Sequence, residues 1–95
     1  SRNRYLGEAE RRAALALSGA LAAAAEAGGA GRDAALAAAR AELDAVGAAV
    51  DYVAIVDPAT FMAVDESFAG EALALVAARI GTTRLIDNRR LTLGA

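Results

Sequence analysis

The chain has 95 residues, 57% hydrophobic and 23% charged, with a net charge of -2 and a pI near 5.0. This describes one small folded domain and argues against a general binder of nucleic acid or of anionic membranes. Cysteine and histidine are both absent, which removes disulfides, thiol chemistry, histidine acid–base catalysis and nearly all zinc chemistry. No uninterrupted apolar run reaches the roughly 18 residues of a membrane span, and the charged start lacks the apolar segment of a signal peptide, so a cytoplasmic protein is expected.

Nearly a third of the chain is alanine, and all ten basic residues are arginine. Alanine favours helix but buries little apolar area, so the core must draw on sparse leucines, valines and isoleucines. The same bias is what a GC-rich genome produces, so the arginine content by itself says little about anion binding.

Ser1 to Leu6 carry no periodicity and read as a loop. Gly7 is placed to cap a helix, with Glu8 and Glu10 in the first turn, where the helix dipole favours negative charge. The stretch "EAERRAALALSGALAAAAEA" is then almost pure helix former. Leu17, Leu21, Ala24 and Ala25 recur at three- and four-residue spacing to give one narrow apolar stripe, with Leu15 beside it. Gly28 and Gly29 are expected to end this helix through a left-handed residue. A second helix follows, with Asp33 as N-cap or first-turn acid and a stripe of Leu36, Ala39, Leu43 and Val46; Gly47 closes it. A short glycine-rich link between two such helices predicts an antiparallel hairpin.

Beyond Gly47 the character changes. "VDYVAIVD" is a strand signal, and Asp57-Pro58 starts a turn because proline presets the second turn position. "FMAV" reads as a further short strand. "EALALVAARI" suits helix by composition, but Gly81 with Thr82 and Thr83 forms a tight link into "RLID", so the pair reads as a β-hairpin. In "NRRLTLGA", Leu91 and Leu93 alternate with Thr92 as in a half-buried edge strand. Helices first and strands after predict an α+β fold, two antiparallel helices packed on one face of a small antiparallel sheet.

Two stretches could hold chemistry. In "SRN", Ser1, Arg2 and Asn3 offer a hydroxyl, a bidentate guanidinium and an amide that together can grip phosphate oxygens ahead of a helix N-terminus; a solvated terminus is the bland alternative. In "GTTRLIDN", Arg84 and Asp87 are expected to pair and hold the hairpin, with Asn88 beside them. The carboxylates elsewhere are on solvent-facing helix positions, flank a strand (Asp51, Asp57) or sit in a turn (Asp65, Glu66). No self-contained catalytic set and no metal site is expected.

Four features taken together, "SRNRYL", the alanine-rich helix pair, "VDYVAIVDPATF" followed by "VDE", and "LVAARIGTTRLIDN", make the whole chain resemble the C-terminal domain of the bacterial pantothenate synthetase (pantoate–β-alanine ligase) family, its actinobacterial members most of all. The resemblance implies a lid domain spanning 1–95. Residues 1–6 would be the remnant of an ATP-binding loop that is the counterpart of the KMSKS loop of class I aminoacyl-tRNA synthetases. An N-terminal Rossmann domain, with its His-x-Gly-His motif and pantoate pocket, would lie outside this chain. It further implies ATP with Mg2+, the substrates pantoate and β-alanine, a pantoyl adenylate intermediate, no nucleic-acid or membrane partner, and a homodimeric full-length enzyme. Ser1 and Arg2 match positions that contact ATP phosphates, and Asn3 matches a position expected to shape the loop. Gly7 stands where many relatives have a serine cap, a replacement worth only a few tenths of a kcal/mol. The alternatives are a free-standing helical interaction module, binding through its sheet face or alanine stripe, and a nucleotide-binding module in its own right.

Overall fold

The computed structural model describes residues 7–94. The chain forms helix α1 (Glu8–Ala27), a 3-10 turn (Gly28–Ala30), helix α2 (Arg32–Ala45) and three strands, β1 (Ala49–Val56), β2 (Gly70–Ile80) and β3 (Thr83–Leu93). The strands form an antiparallel meander in the order β1-β2-β3. The two helices lie on one face of it, α1 over β2 and β3 and α2 over β1. The expected α+β architecture is the observed one.

Gly7 is the N-cap of α1, and because it has no side chain the capping is done from within the helix: its N–H donates to the Glu10 carboxylate at 2.6 Å. Leu17, Leu21 and Ala24 are buried as the stripe requires, and Ala13 and Ala20 extend it. Leu15 is 68% exposed and does not belong to the stripe. The stretch Glu10–Ala30 has the length and mean hydropathy (1.3) of a membrane span, which the search for an unbroken apolar run did not anticipate. Alanine supplies that hydropathy, and here the buried side of the helix forms half of a packed core.

The exit from α1 differs from expectation. Gly28 keeps right-handed helical angles (φ -59°, ψ -30°), and the positive φ falls three residues later, at Gly31 (105°). Gly28 is glycine for another reason: a Cβ there would lie 2.4 Å from the Thr92 carbonyl oxygen. The end of β3 passes directly over it, and the Gly94 N–H donates to the Gly28 carbonyl at 2.9 Å. Tertiary contact rather than helix termination sets this position.

In α2, Ala35, Ala39 and Leu43 are buried and Leu36 packs partly against the core. Val46 lies past the last helical turn and is 44% exposed, so it leaves the stripe. The helix ends in a Schellman motif: Ala48 N–H donates to the Leu43 carbonyl and Gly47 N–H to that of Asp44, both at 3.0 Å, with Gly47 at φ 71°.

β2 and β3 are joined by the two residues Gly81 and Thr82, and Gly81 takes the positive φ (63°) that a tight hairpin turn needs at its first central position. "RLID" and "NRRLTL" are one continuous strand. The β1–β2 connection is longer, and "FMAV" is not a strand in it: one bridge, Val56 to Ala63, is all the pairing it makes. Asp57 N–H to the Met62 carbonyl and Val64 N–H to the Ile55 carbonyl are the two bonds of that bridge; beyond it Phe61 has a left-handed backbone (φ 60°) and the Met62 N–H is taken by the Thr60 hydroxyl, so the ladder stops there.

The inner face of β2 carries Ala72, Ala74, Val76 and Ala78, all buried. Alanine is a poor strand former on its own, but small side chains there let α1 settle close to the sheet. Leu17, Leu21, Leu43, Leu93 and Val76 are the largest fully buried side chains, and no polar or charged residue among those described is buried.

Candidate functional site

Ser1, Arg2 and Asn3 lie outside the described residues. What is described is the platform they lead into. At the start of α1, Glu10, Arg11 and Ala14 face Thr82, Thr83, Arg84 and Leu85 of the hairpin across a cleft of about 870 Å³. Its polar lining is two guanidinium groups, two threonine hydroxyls and one carboxylate. The carboxylate is engaged by the Gly7 N–H, and the Arg84 Nε donates to Asp51 Oδ2 at 2.5 Å. Arg11 has no ion-pair partner among the described residues. Glu10 and Asp51 offset Arg11 and Arg84 in formal charge, so this end of the domain is polar without a net positive bias.

The expected Arg84–Asp87 pair does not form. Residues three apart on a strand point to opposite faces; Arg84 pairs instead with Asp51, reaching past β2 at the bulge between Val50 and Tyr52. Asp87 accepts a hydrogen bond from the Asn88 backbone N–H at 2.8 Å. The hairpin is held by an Arg–Asp contact, but one that ties β3 to the far edge strand.

A second polar cluster was not visible in the sequence. The N-cap of α2 is Gly31, which has no side chain to offer. Glu66, which the fold brings in from the β1–β2 connection, accepts the Asp33 backbone N–H at 2.7 Å and so does the work of an N-cap side chain. A Cβ on Gly31 would come within 2.9 Å of the Glu66 carboxylate, so glycine makes the approach possible. Arg32 completes the clasp, donating to the Val64 carbonyl at 3.1 Å and pairing with Asp33 at 2.8 Å. "VDE" is thus an anchor of the loop onto α2. Asp65 within it has its carboxyl held below the ordinary 3.8, first by the Ser67 hydroxyl, against an opposing desolvation, and further by the backbone N–H groups of Ser67 and Phe68 and the nearby Arg32 charge.

Among the described residues no group of three potential metal ligands comes together.

The family model described as pantoate-beta-alanine ligase matches residues 1–90. The chain is 53% identical over 98 residues to the pantothenate synthetase of Thermobifida fusca, covering 98% of this chain and 33% of that protein. It is 54% identical over 96 residues to that of Nocardia farcinica, covering 100% and 29%, and 58% identical over 94 residues to that of Anaeromyxobacter dehalogenans, covering 96% and 32%. The crystal structure of pantothenate synthetase from Thermus thermophilus superposes with a TM-score of 0.76 at 40% identity, over 93% of this chain and 33% of that one. The chain spans about a third of the length of these relatives and matches their C-terminal part. With a family model over nearly its whole length, more than half of its residues shared with those relatives and their fold reproduced, the chain belongs to the pantoate-beta-alanine ligase family.

Proposed function

We propose that this chain is the C-terminal lid domain of an ATP-dependent, cytoplasmic ligase that joins pantoate to β-alanine, and that Ser1 and Arg2 contact the ATP phosphates while Asn3 shapes their loop. The observation that carries the reading is that family membership begins at Ser1 and runs through residue 90, so that "SRN" stands within the shared region.

The chemistry accounts for the placement of such residues on a lid. A pantoate carboxylate oxygen attacks the α-phosphorus of ATP, the bond to the β,γ-diphosphate breaks, and pyrophosphate leaves with the electron pair. The β-alanine amine then attacks the acyl carbon of pantoyl adenylate, and AMP departs. Negative charge grows on the leaving pyrophosphate in the first step. A guanidinium at Arg2 neutralises it and the Ser1 hydroxyl donates a hydrogen bond, both most effective once closure has expelled water. Magnesium would enter on the ATP phosphates; among the described residues no group of three potential metal ligands comes together. The pantoate and β-alanine pockets belong to the N-terminal Rossmann domain of a homodimeric full-length enzyme, so the 95 residues alone should be inactive.

The test is single-turnover formation of pantoyl adenylate by the full-length enzyme. Arg2→Ala should slow it by roughly 10²–10³, or about 3–4 kcal/mol, with a smaller change in apparent ATP binding. Arg2→Lys should recover part of the loss, since a point charge lacks the bidentate fork. Wild-type adenylation by Arg2→Ala would assign Arg2 to the solvated loop, and an early melt would make its role structural.

A further inference from the structure

Residues 57–69, which connect β1 to β2, make most of their hydrogen bonds among themselves. Asp57 and Asp65 each close a small turn, the first accepting the Ala59 N–H and the second the Ser67 N–H and hydroxyl. The Phe61 N–H donates to the Asp57 carbonyl, and the Asp57 N–H to that of Met62. A space of about 180 Å³ within the loop is lined by the loop's own residues. Phe61 and Met62, at its tip, are both 70% exposed.

The attachments of this loop to the rest of the domain are few. Val64 is buried in the core and Phe68 packs partly against it, and one bridge joins Ala63 to Val56. Beyond that bridge, its polar ties among the described residues all reach the start of α2. Glu66 accepts the Asp33 N–H at 2.7 Å, Arg32 donates to the Val64 carbonyl at 3.1 Å, and Arg32 lies 3.9 Å from Glu66. The dependence runs both ways. The first N–H groups of a helix have no partner inside it, and Gly31 has no side chain with which to cap α2. Glu66 supplies that cap only while the loop is down. Arg32, in turn, is aimed at Val64 only while the first turn of α2 is wound.

We propose that residues 57–69 form a strap latched by Glu66, and that the strap and the first turn of α2 open and close as one unit. Gly70 joins the strap to β2 at φ 125° with open space around its α-carbon, and serves as the hinge. With two apolar anchors and an exposed tip, the strap belongs to the low end of local stability, whereas the β2–β3 ladder and the helices' core contacts stay closed when it lifts. Lifting uncovers Val64 and the end of β1 beneath it.

Hydrogen exchange of the full-length protein, read residue by residue by mass spectrometry, tests this under native conditions. Three amides that do not bond to Glu66 report on the unit: Asp57 and Val64 in the strap, and Ala35, whose N–H donates to the Gly31 carbonyl. In Glu66→Ala all three should exchange faster by a common factor of roughly three to ten, the range that loss of a helix cap produces. Amides of the β2–β3 ladder should change by less than about twofold. Glu66→Gln, a milder change that keeps an oxygen acceptor, should restore part of the protection in strap and helix together. Faster exchange at Ala35 with Asp57 and Val64 at wild-type rates overturns the proposal, because Glu66 is then a local cap. A rise shared by the β2–β3 ladder overturns it too, since the whole domain is then loosened. So does a Glu66→Gln variant that regains protection in α2 alone.

Discussion

The two faces of the sheet share a backbone and differ in everything that backbone supports. On the inner face, alanines and valines of β2 meet Leu17, Leu21 and Leu43 with no polar group buried. On the outer face, Tyr52 and Ile86 stand half in solvent above a buried Ala77, between two ion pairs. The strand alternation that makes one face a core must present the other set of side chains outward. What differs is the partner: the inner face has its helices in the same 95 residues. Stability should therefore reside on the inner face, and little of it on the outer.

The largest expected effect breaks the inner face. Leu43→Ala removes a fully buried side chain from an alanine-rich core with few large ones, and should cost about 2–5 kcal/mol. Domains of this kind hold only about 5–15 kcal/mol in all, so urea melts should show a large fall in midpoint. Next comes Gly28→Ala, whose methyl would press on the Thr92 carbonyl at 2.4 Å. Moving the end of β3 away should cost about 1–3 kcal/mol, against the small gain that alanine brings to an unobstructed helix end; a melt at or above wild type would show that the close approach is not real. On the outer face, Ile86→Ser in the 95-residue chain should change stability by no more than about 0.5 kcal/mol, and a loss comparable to that of Leu43→Ala would erase the contrast between the faces.

The smallest effect concerns the loop anchor. Asp65 is held below its ordinary 3.8 in the fold, so its charge contributes stability that is present above that value and is lost as pH falls through the lower folded value. Asp65→Asn should melt slightly below wild type at neutral pH, and the two should converge below pH 3.8. A gap that persists undiminished in acid would show that the carboxylate's charge is not what holds Ser67 and Phe68.

The helices and the hairpin were legible because each is written within a few neighbouring residues: the spacing of Leu17 and Leu21, Gly7 as the cap of α1, the closing glycine at Gly47, the tight link at Gly81; the N-cap of α2 was not, since it is Gly31 served by Glu66 and Asp33 is only a first-turn acid. The pairing of "EALALVAARI" with β3 was legible from that same turn, against the helical leaning of its alanines. The candidate site was legible in a different sense. Ser1, Arg2 and Asn3 offered phosphate chemistry by residue type, and the family resemblance gave them their roles; family membership is now shown, while those three residues lie outside the described structure.

Sequence alone thus determined the α+β class, the order of the elements and the family, because backbone preference and side-chain period act locally and a family pattern is itself a property of sequence. Tertiary packing settled the rest: that Arg84 pairs with Asp51, that Glu66 caps α2, that Gly28 ends α1 in a right-handed conformation beneath the Thr92 carbonyl, and that "FMAV" forms a loop closed by Asp57. Arg84 and Asp51 are 33 residues apart, as are Glu66 and Asp33. No local preference encodes such a pair, whose geometry exists only once the sheet has brought distant strands into register and the helices have closed over one of its two faces.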